Sequence, residues 1–598
     1  MLKIENKKII ANLDNLNTPV CNYFDIRKDQ KGKEYMISFV RGIAVLRFVL
    51  MNKGTAFTIN ERKKLGLQGL LPSRNCTEDE QIKMIYKRYS QQLNNLAKYQ
   101  YLRGLQERHE ILYYILVARY LEEMLPIIYT PTVGEAVIKF SSLYESPRGL
   151  SISLDSLPDI PEMLKNYPLT DVRMIVATDS SAILGIGDQG YGGLAIAIGK
   201  LSIYTVGGGI SPYHSMPACI DVGTNRQELL DDPAYLGARH PRLIGNDYLE
   251  FLDKFVNAVT TKWPDVIIQW EDLSKETAFM VLDRYRDKFP SFNDDIQGTG
   301  AVALSGIKTA CRIKKEKIIN QKFIILGAGA GGIGVAWAII NDLIRNGMTK
   351  VEAKSHVLVF DSKGLLLDDC KHSPYKQPYT QPKSIMNKWP NSVSRKDIVE
   401  IIKYEQITAI LGLSGQAGVF NKQVVEALMK NTCQPIIFPL SNPNSHSEGI
   451  PLDILKWSNG KALIATGSPF KPVSVNGIKI QIGQGNNAFI FPGLGLGAIL
   501  CHAKKISNAM ILSAADALAD YTKNNFSDKE YLFPPISKLQ EASIYVAENV
   551  INTANAEGLS RKSYPETINL KELIYKHIWK PTYLPIVTEE QFNQIRKT

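Results

Sequence analysis

The sequence predicts an α/β fold in which a helical N-terminal domain precedes two parallel-sheet domains. Three observations predict it. The chain, at 598 residues, exceeds what one core ordinarily holds. Its first 147 or so residues carry helical apolar spacing. After about residue 148, short β-branched runs alternate with helical stretches, which implies parallel sheets with helices on both faces.

The elements follow in order. Thr77-Glu78-Asp79-Glu80 has the Ser/Thr-x-x-Glu form of a capping box ahead of an amphipathic segment. Leu112, Leu116, Tyr120 and Met124 recur at helical spacing beside Tyr113, Val117 and Leu121, and that helix is expected to end at Pro126. Strands are expected at Val172 to Ala177, Val266 to Gln269, Phe323 to Leu326, His356 to Phe360, Ile407 to Leu411, Pro435 to Phe438 and Ala462 to Ala465, in two sheets joined near residue 295. The last 40 or so residues, with Pro565, Pro581 and Pro585, read as an irregular tail suited to subunit contacts.

Composition narrows the function classes. With 44% hydrophobic and 22% charged residues, the chain is an ordinary globular one. No apolar run is long enough to span a membrane. The N-terminal stretch mixes acids and bases and lacks a signal peptide's apolar core, so a cytoplasmic protein is expected. The seven cysteines include no C-x-x-C pair and read as reduced thiols, and the eight scattered histidines argue against a His-based metal site. Net charge is +11 and the pI is about 9.0, yet basic clusters such as Lys314 to Lys317 contain an acid and lack interleaved aromatics. A positive field that draws small anions accounts for this better than nucleic-acid binding.

Residues 266 to 299 carry the most chemistry. An apolar run ends in Glu271-Asp272, a helical stretch follows, and a second apolar approach ends in Asn293-Asp294-Asp295. In a strand–helix–strand unit the two strands run parallel and finish on one sheet edge, where these carboxylates would meet. Three convergent oxygens without His or Cys suit Mg²⁺ or Mn²⁺ rather than zinc; solvated loop acids are the alternative.

Phe323 to Leu326 runs directly into Gly327-Ala328-Gly329-Ala330-Gly331-Gly332-Ile333-Gly334. This G-x-G-x-x-G lies after a strand and before an apolar helix. Gly327, Gly329, Gly332 and Gly334 therefore read as a Rossmann turn that admits a dinucleotide pyrophosphate to a helix N-terminus. Asp361, at the end of the next strand, is placed to accept adenosine ribose hydroxyls. Ser362, Lys363 and Lys376 would instead suit a 2′-phosphate, so NAD and NADP both stay open. A second G-x-G-x-x-G, Gly185 to Gly190, follows only Ile183-Leu184 and reads as a tight turn beside the site. Lys200 lies in an apolar run, either snorkelling to water, which the sequence alone favours, or desolvated with a lowered pKa and fit to act as a base. By itself, Tyr129 reads as a packing residue.

Together these segments resemble the malic enzyme family. The matching pieces are NKGTAFT (Asn52 to Thr58), GLLP (Gly69 to Pro72), YTPTVGEA (Tyr129 to Ala136), GIGDQG, Gly199-Lys200, DVGT (Asp221 to Thr224), QWEDL, FNDDIQGT, GAGAGGIG, SNP (Ser441 to Pro443), GSPF (Gly467 to Phe470) and GQGNNAFIFPG (Gly483 to Gly493), in family order over nearly the whole chain. The resemblance implies oxidative decarboxylation of L-malate to pyruvate and CO₂ with NAD or NADP and Mg²⁺ or Mn²⁺. It implies Lys200 as general base, Tyr129 as general acid and Asp294 as the acid paired with the lysine. Glu271, Asp272 and Asp295 match the metal ligands, and Asn442, Asn486 and Asn487 match amides that contact cofactor and substrate. The implied division is a helical domain over 1–147 and a substrate- and metal-binding α/β domain over 148–294, completed by 484–555. A Rossmann domain spans 295–483, and a tail spans 556–598. A homo-oligomer, dimer or tetramer, is also implied.

One segment departs from the family. Where T-D-G-x-R-I-L-G is common, this chain has Thr178-Asp179-Ser180-Ser181-Ala182-Ile183-Leu184-Gly185, so Ala182 replaces an arginine that contacts substrate and cofactor. An alanine forms no bidentate bond to a carboxylate. Malolactic enzymes, which convert malate to lactate with bound NAD, also lack that arginine and supply the alternative activity. A nucleotide-binding regulatory protein with a decayed site is a third reading, opposed by the retained Tyr129, Lys200 and acids.

Overall fold

The computed structural model describes residues 19–183, 185–526, 530–562, 564–565 and 568–597. Leu184 and the N-terminal stretch read above for targeting lie outside these residues.

The N-terminal region opens on an antiparallel hairpin, β1 (Phe24–Lys28) and β2 (Glu34–Ser38), which the helical reading of this region passed over. Helices follow. Thr77 caps Glu78–Ser90 through a complete capping box with Glu80. The expected helix end at Pro126 is corrected: the break falls at Tyr120, between Glu110–Arg119 and Leu121–Ile128, and Pro126 lies inside the second helix. The ring removes a donor from Glu122, an exposed residue, while burial of Leu125, Ile127 and Ile128 carries the helix past the proline.

The first sheet comprises β3 (Leu150–Ser153), β4 (Met174–Thr178), β5 (Ser215–Asp221), β6 (Ile267–Trp270) and β7 (Ser291–Asn293). Every neighbouring pair is parallel, in the order β3-β5-β4-β6-β7. In register, Ala177 of β4 faces Trp270 of β6, and Trp270 faces Asn293 of β7. The loops after these three strands therefore leave one edge side by side. Burial on both faces explains why the central strands read as continuous apolar runs.

A single turn of π-helix, Asp294–Gly298, leads into the helix Thr299–Lys314 and so into the second sheet. Its strands are β8 (Phe323–Leu326), β9 (Val357–Asp361), β10 (Gly364–Leu365), β11 (Ala409–Gly412), β12 (Ile436–Pro439) and β13 (Leu463–Thr466). A small hairpin, β14 (Val473–Val475) and β15 (Ile478–Ile480), precedes the edge strand β16 (Gly483–Gln484). The order is β10-β9-β8-β11-β12-β13-β16, with only β10 antiparallel to its neighbour. Chain direction across the sheet reverses between β8 and β11, the switch point at which such folds open a ligand crevice.

Strand alternation divides the second sheet between two cores. Ile324, Leu326, Leu358, Phe360 and Ile410 pack in a core of their own, whereas Phe323, Ile325, Val357, Val359 and Leu411 join the large core shared with the first sheet. The helices Phe491–Leu500 and Leu539–Ala556 return to pack beside Leu194–Gly208, so the chain after the second sheet completes the first layer. The tail is not irregular as expected. It forms the helices Leu570–His577 and Glu589–Lys597 and the strand β17 (Ile586–Val587), parallel to β2. The Ile586 amide donates to the buried Glu61 carboxylate at 2.9 Å and Phe592 is buried beside Tyr35, so specific partners, invisible locally, order a proline-rich segment.

Candidate active site

Two periodicities build the site. Along β6 and just past it, alternate residues share a sheet face, so Gln269 and Glu271 point one way and Trp270 the other. On the helix Leu194–Gly208, Lys200 and Tyr204 lie four residues apart on one face. Lys200 meets Glu271, and Tyr204 meets Gln269. The helix lies close to the loop bearing Tyr129: a Cβ on Gly199 would come within 2.6 Å of the Ile128 carbonyl oxygen.

The Lys200 ammonium donates to the Tyr129 hydroxyl at 2.9 Å and to Glu271 Oε1 and Asp294 Oδ2 at 2.7 Å each. Those bonds use all three of its protons. Its nitrogen also lies 4.4 Å from the centre of the Phe491 ring. At 1% exposure Lys200 does not snorkel, which corrects the reading that its surroundings favoured. The helix around it is buried on every side, and its acid partners come from β6 and β7. Tyr129 donates in turn to Glu271 Oε1 at 3.2 Å, and Asn487 Nδ2 donates to Asp294 Oδ2 at 2.9 Å and to Thr299 Oγ1 at 3.0 Å.

Burial and charge compete here. Burial alone disfavours the Lys200 ammonium, but Asp294 and Glu271 outweigh it and hold the group well above the usual lysine range, which corrects the lowered pKa expected of a desolvated lysine. Burial pushes Glu271 up to about 8 against the pull of Lys200, with Asp295 and Asp294 adding to the rise. Burial likewise raises Asp295 to about 6, against Lys200 and with Asp294. Tyr129 is raised by burial first and by Glu271 second. The single buried cation does not balance the acids around it.

Glu271, Asp272 and Asp295 each offer an oxygen within 4.8 Å of the others. Asp272 stands in left-handed backbone, φ 54°, and its amide donates to Asp295 Oδ2 at 2.8 Å. A non-glycine residue held there is strained in a way that local sequence does not favour. The buried Asp294 Oδ1 has no hydrogen-bond partner. Surplus carboxylate oxygen, all hard donors with no nitrogen or sulfur among them, fits Mg²⁺ or Mn²⁺.

The second sheet supplies a cradle of a different kind. Gly327 has φ 117° and a Cβ there would collide with the Leu413 carbonyl, while one on Gly332 would collide with the Gly327 carbonyl. Gly329 precedes the helix Ala330–Arg345, whose free amides face this turn. Gly327 and Gly332 let the turn close on itself, and Gly329 leaves open space at the helix N-terminus, which fits a pyrophosphate. Lys275, the first residue of the helix Lys275–Tyr285, reaches over from the first sheet, with its Cε 3.8 Å from where a Cβ on Gly329 would stand. Nothing in the sequence pattern singled it out. Asp361 ends β9 and is already engaged, accepting from the Lys363 amide at 2.8 Å and from Lys376 Nζ at 3.0 Å; Ser362 beside it is exposed.

Comparison with known proteins matches residues 106–286 to the malic enzyme N-terminal domain and residues 296–555 to the malic enzyme NAD-binding domain. The chain belongs to the malic enzyme family. An NAD-dependent malic enzyme of Pseudomonas syringae pv. syringae is 41% identical over 544 residues, 91% of this chain and 96% of its own length. One from Idiomarina loihiensis is 43% identical over 543 residues, with the same coverage. Among solved structures, the Entamoeba histolytica malic enzyme aligns with TM-score 0.52 at 20% identity, covering 89% of this chain and 92% of its own, and shares the fold.

The remaining family positions divide. Asn487 joins the acid cluster, as described, whereas Asn442 and Asn486 occupy loops after β12 and β16 without bonding to it. The Asn442 Oδ1 accepts from the Ser468 hydroxyl, and Asn486 Oδ1 accepts from the Ala488 amide at 2.9 Å. The Ala182 loop is joined to the acids through its backbone: the Ala182 amide donates to the Asp272 carbonyl at 3.0 Å, and the Ser274 amide to the Ser181 hydroxyl at 2.6 Å. Glu448, fully buried, escaped the sequence reading altogether. Its carboxylate accepts from the Ser414 amide at 2.7 Å and the Ser441 hydroxyl at 2.6 Å, tying the loops after β11 and β12 together.

Proposed function

We propose that this malic enzyme family member oxidatively decarboxylates L-malate to pyruvate and CO₂ with reduction of NAD, assisted by Mg²⁺ or Mn²⁺. The observation that carries this reading is the Lys200 ammonium bonded to Tyr129, Glu271 and Asp294 beside the acid triplet. Glu271, Asp272 and Asp295 are the residues that would hold the divalent ion. The glycine cradle, Asp361 and Ser362 would hold the dinucleotide, and Asn442, Asn486 and Asn487 its carboxamide and the substrate. When bound, the nicotinamide supplies a hydride acceptor and the ion supplies stabilisation for charge on the C2 oxygen.

The chain's own groups move the protons. Held as an ammonium at rest, Lys200 must first release one proton to solvent as substrate binds; the neutral amine, as general base, then accepts the C2 hydroxyl proton while C2 loses hydride. The C3–C4 bond then breaks to release CO₂, and Tyr129 donates its proton to C3 of the resulting enolate. Lys200 has gained one proton and Tyr129 has lost one, and transfer along their 2.9 Å hydrogen bond restores both. Asp294 keeps the lysine oriented through this cycle.

Purified protein given L-malate, Mn²⁺ and NAD should develop absorbance at the reduced-nicotinamide band, with pyruvate as product. Silence with both NAD and NADP would refute the reading. The relatives described above are named malic enzymes, so lactate is not the expected product. We further infer a cytoplasmic homo-oligomer. All seven cysteines are free thiols, which suits a reducing compartment, and no helix among the described residues is long and apolar enough to cross a membrane.

A further inference from the structure

Gln269 is an anomaly in its strand. β6 lies inside a parallel sheet covered on both faces, where apolar side chains are the rule, yet Gln269 is fully buried between Ile268 and Trp270. A buried amide is costly unless both its ends are bonded. Here both are. The Tyr204 hydroxyl donates to Gln269 Oε1, and Gln269 Nε2 donates to Glu271 Oε2. Tyr204 is itself fully buried, and its ring packs on Phe491, the same ring that faces the Lys200 ammonium.

The order of donors fixes the direction of this chain. An ionised carboxylate only accepts, so the NH₂ end of Gln269 must face Glu271, which leaves Oε1 to accept from the Tyr204 hydroxyl. Glu271 is then held from both sides: Oε1 by Lys200 and Tyr129, Oε2 by Gln269. Its carboxylate cannot rotate without breaking bonds in a buried site.

We propose that Tyr204 and Gln269 are positioning residues for the divalent-metal centre, a two-residue relay that locks the Glu271 carboxylate plane and so sets metal affinity. The inference rests on the metal-ligand reading of Glu271. Neither residue touches substrate or cofactor in this role.

The test is Mn²⁺ binding to the full-length protein without substrate, followed by electron paramagnetic resonance of the free ion. Gln269→Leu should weaken Mn²⁺ by about 10–100-fold, as outer-shell partners of metal ligands do. Tyr204→Phe should weaken it less, and NAD affinity measured by calorimetry should be unchanged in both. The double variant should bind Mn²⁺ no worse than Gln269→Leu alone, because the two act through one hydrogen-bonded chain; independent packing defects would add. Unchanged NAD affinity shows that a variant has folded. Mn²⁺ affinity within about twofold of wild type in folded Gln269→Leu, or additive losses in the double variant, would overturn the relay. Failure of the wild type itself to bind Mn²⁺ would overturn the metal-ligand reading, and the relay with it.

Discussion

The acid edge of the first sheet and the glycine turn of the second are built on opposite principles. The first is crowded with side chains: four acids, a lysine and a tyrosine share a largely buried volume in which the lysine uses all three protons and carboxylate oxygen is in surplus. The second is built from missing side chains, since any Cβ on Gly327 or Gly332 would strike backbone. Charge already placed can be removed one group at a time. A cradle shaped by backbone fails when an atom is added. The two should therefore respond to mutation in opposite directions, and that contrast can be broken or sharpened.

The largest expected effect is at Lys200. Lys200→Ala should lower turnover by about a thousandfold, within the usual contribution of a general base, while calorimetry shows NAD binding unchanged. Near-wild-type turnover would remove the base and much of the contrast. Asp295→Ala should weaken Mn²⁺ by about 100-fold or more, seen as a rise in the Mn²⁺ concentration that half-saturates activity. An unchanged requirement would take Asp295 out of the ligand set. On the other side, Gly332→Ala should cost about 1–3 kcal/mol of stability by overpacking, read from urea unfolding, and weaken NAD binding without altering Mn²⁺ binding. Equal damage to both ligands would mean that the two regions are not separable. The smallest effect is at the loop where the family arginine is absent. Ala182→Arg should lower the KM for malate by about tenfold, the scale of one charged hydrogen bond, with pyruvate still the product. Lactate from either the wild type or the variant would redirect the assignment toward malolactic chemistry.

The two regions also differ in how far they can be read from sequence. The glycine turn is legible because strand, glycine spacing and helix are contiguous, and each glycine answers to a local backbone demand. The acid edge is legible only in part. Two acid pairs at the ends of apolar runs predict a meeting on one sheet edge, and β6 and β7 are indeed parallel neighbours. Neither Tyr129 nor Lys200 announces itself, because a tyrosine at a helix end and a lysine in an apolar run usually have duller explanations. Family resemblance, not periodicity, drew attention to them. Gln269, Tyr204, Lys275 and Glu448 had no such signal, since what distinguishes them is a partner far away in the chain. The errors have the same origin: Pro126 lies inside a helix and the tail is ordered because burial against distant residues outweighs local propensity.

By itself the sequence determined the alternation of strands and helices, the dinucleotide turn and the supply of hard oxygen donors, because each is written in consecutive residues. Only the tertiary structure decided that Lys200 is buried rather than solvated, that its three protons have three acceptors, and that Glu271 is gripped from both sides. Those outcomes depend on how a helix registers over a sheet, and that register is set by packing across the whole core rather than by any stretch of neighbouring residues.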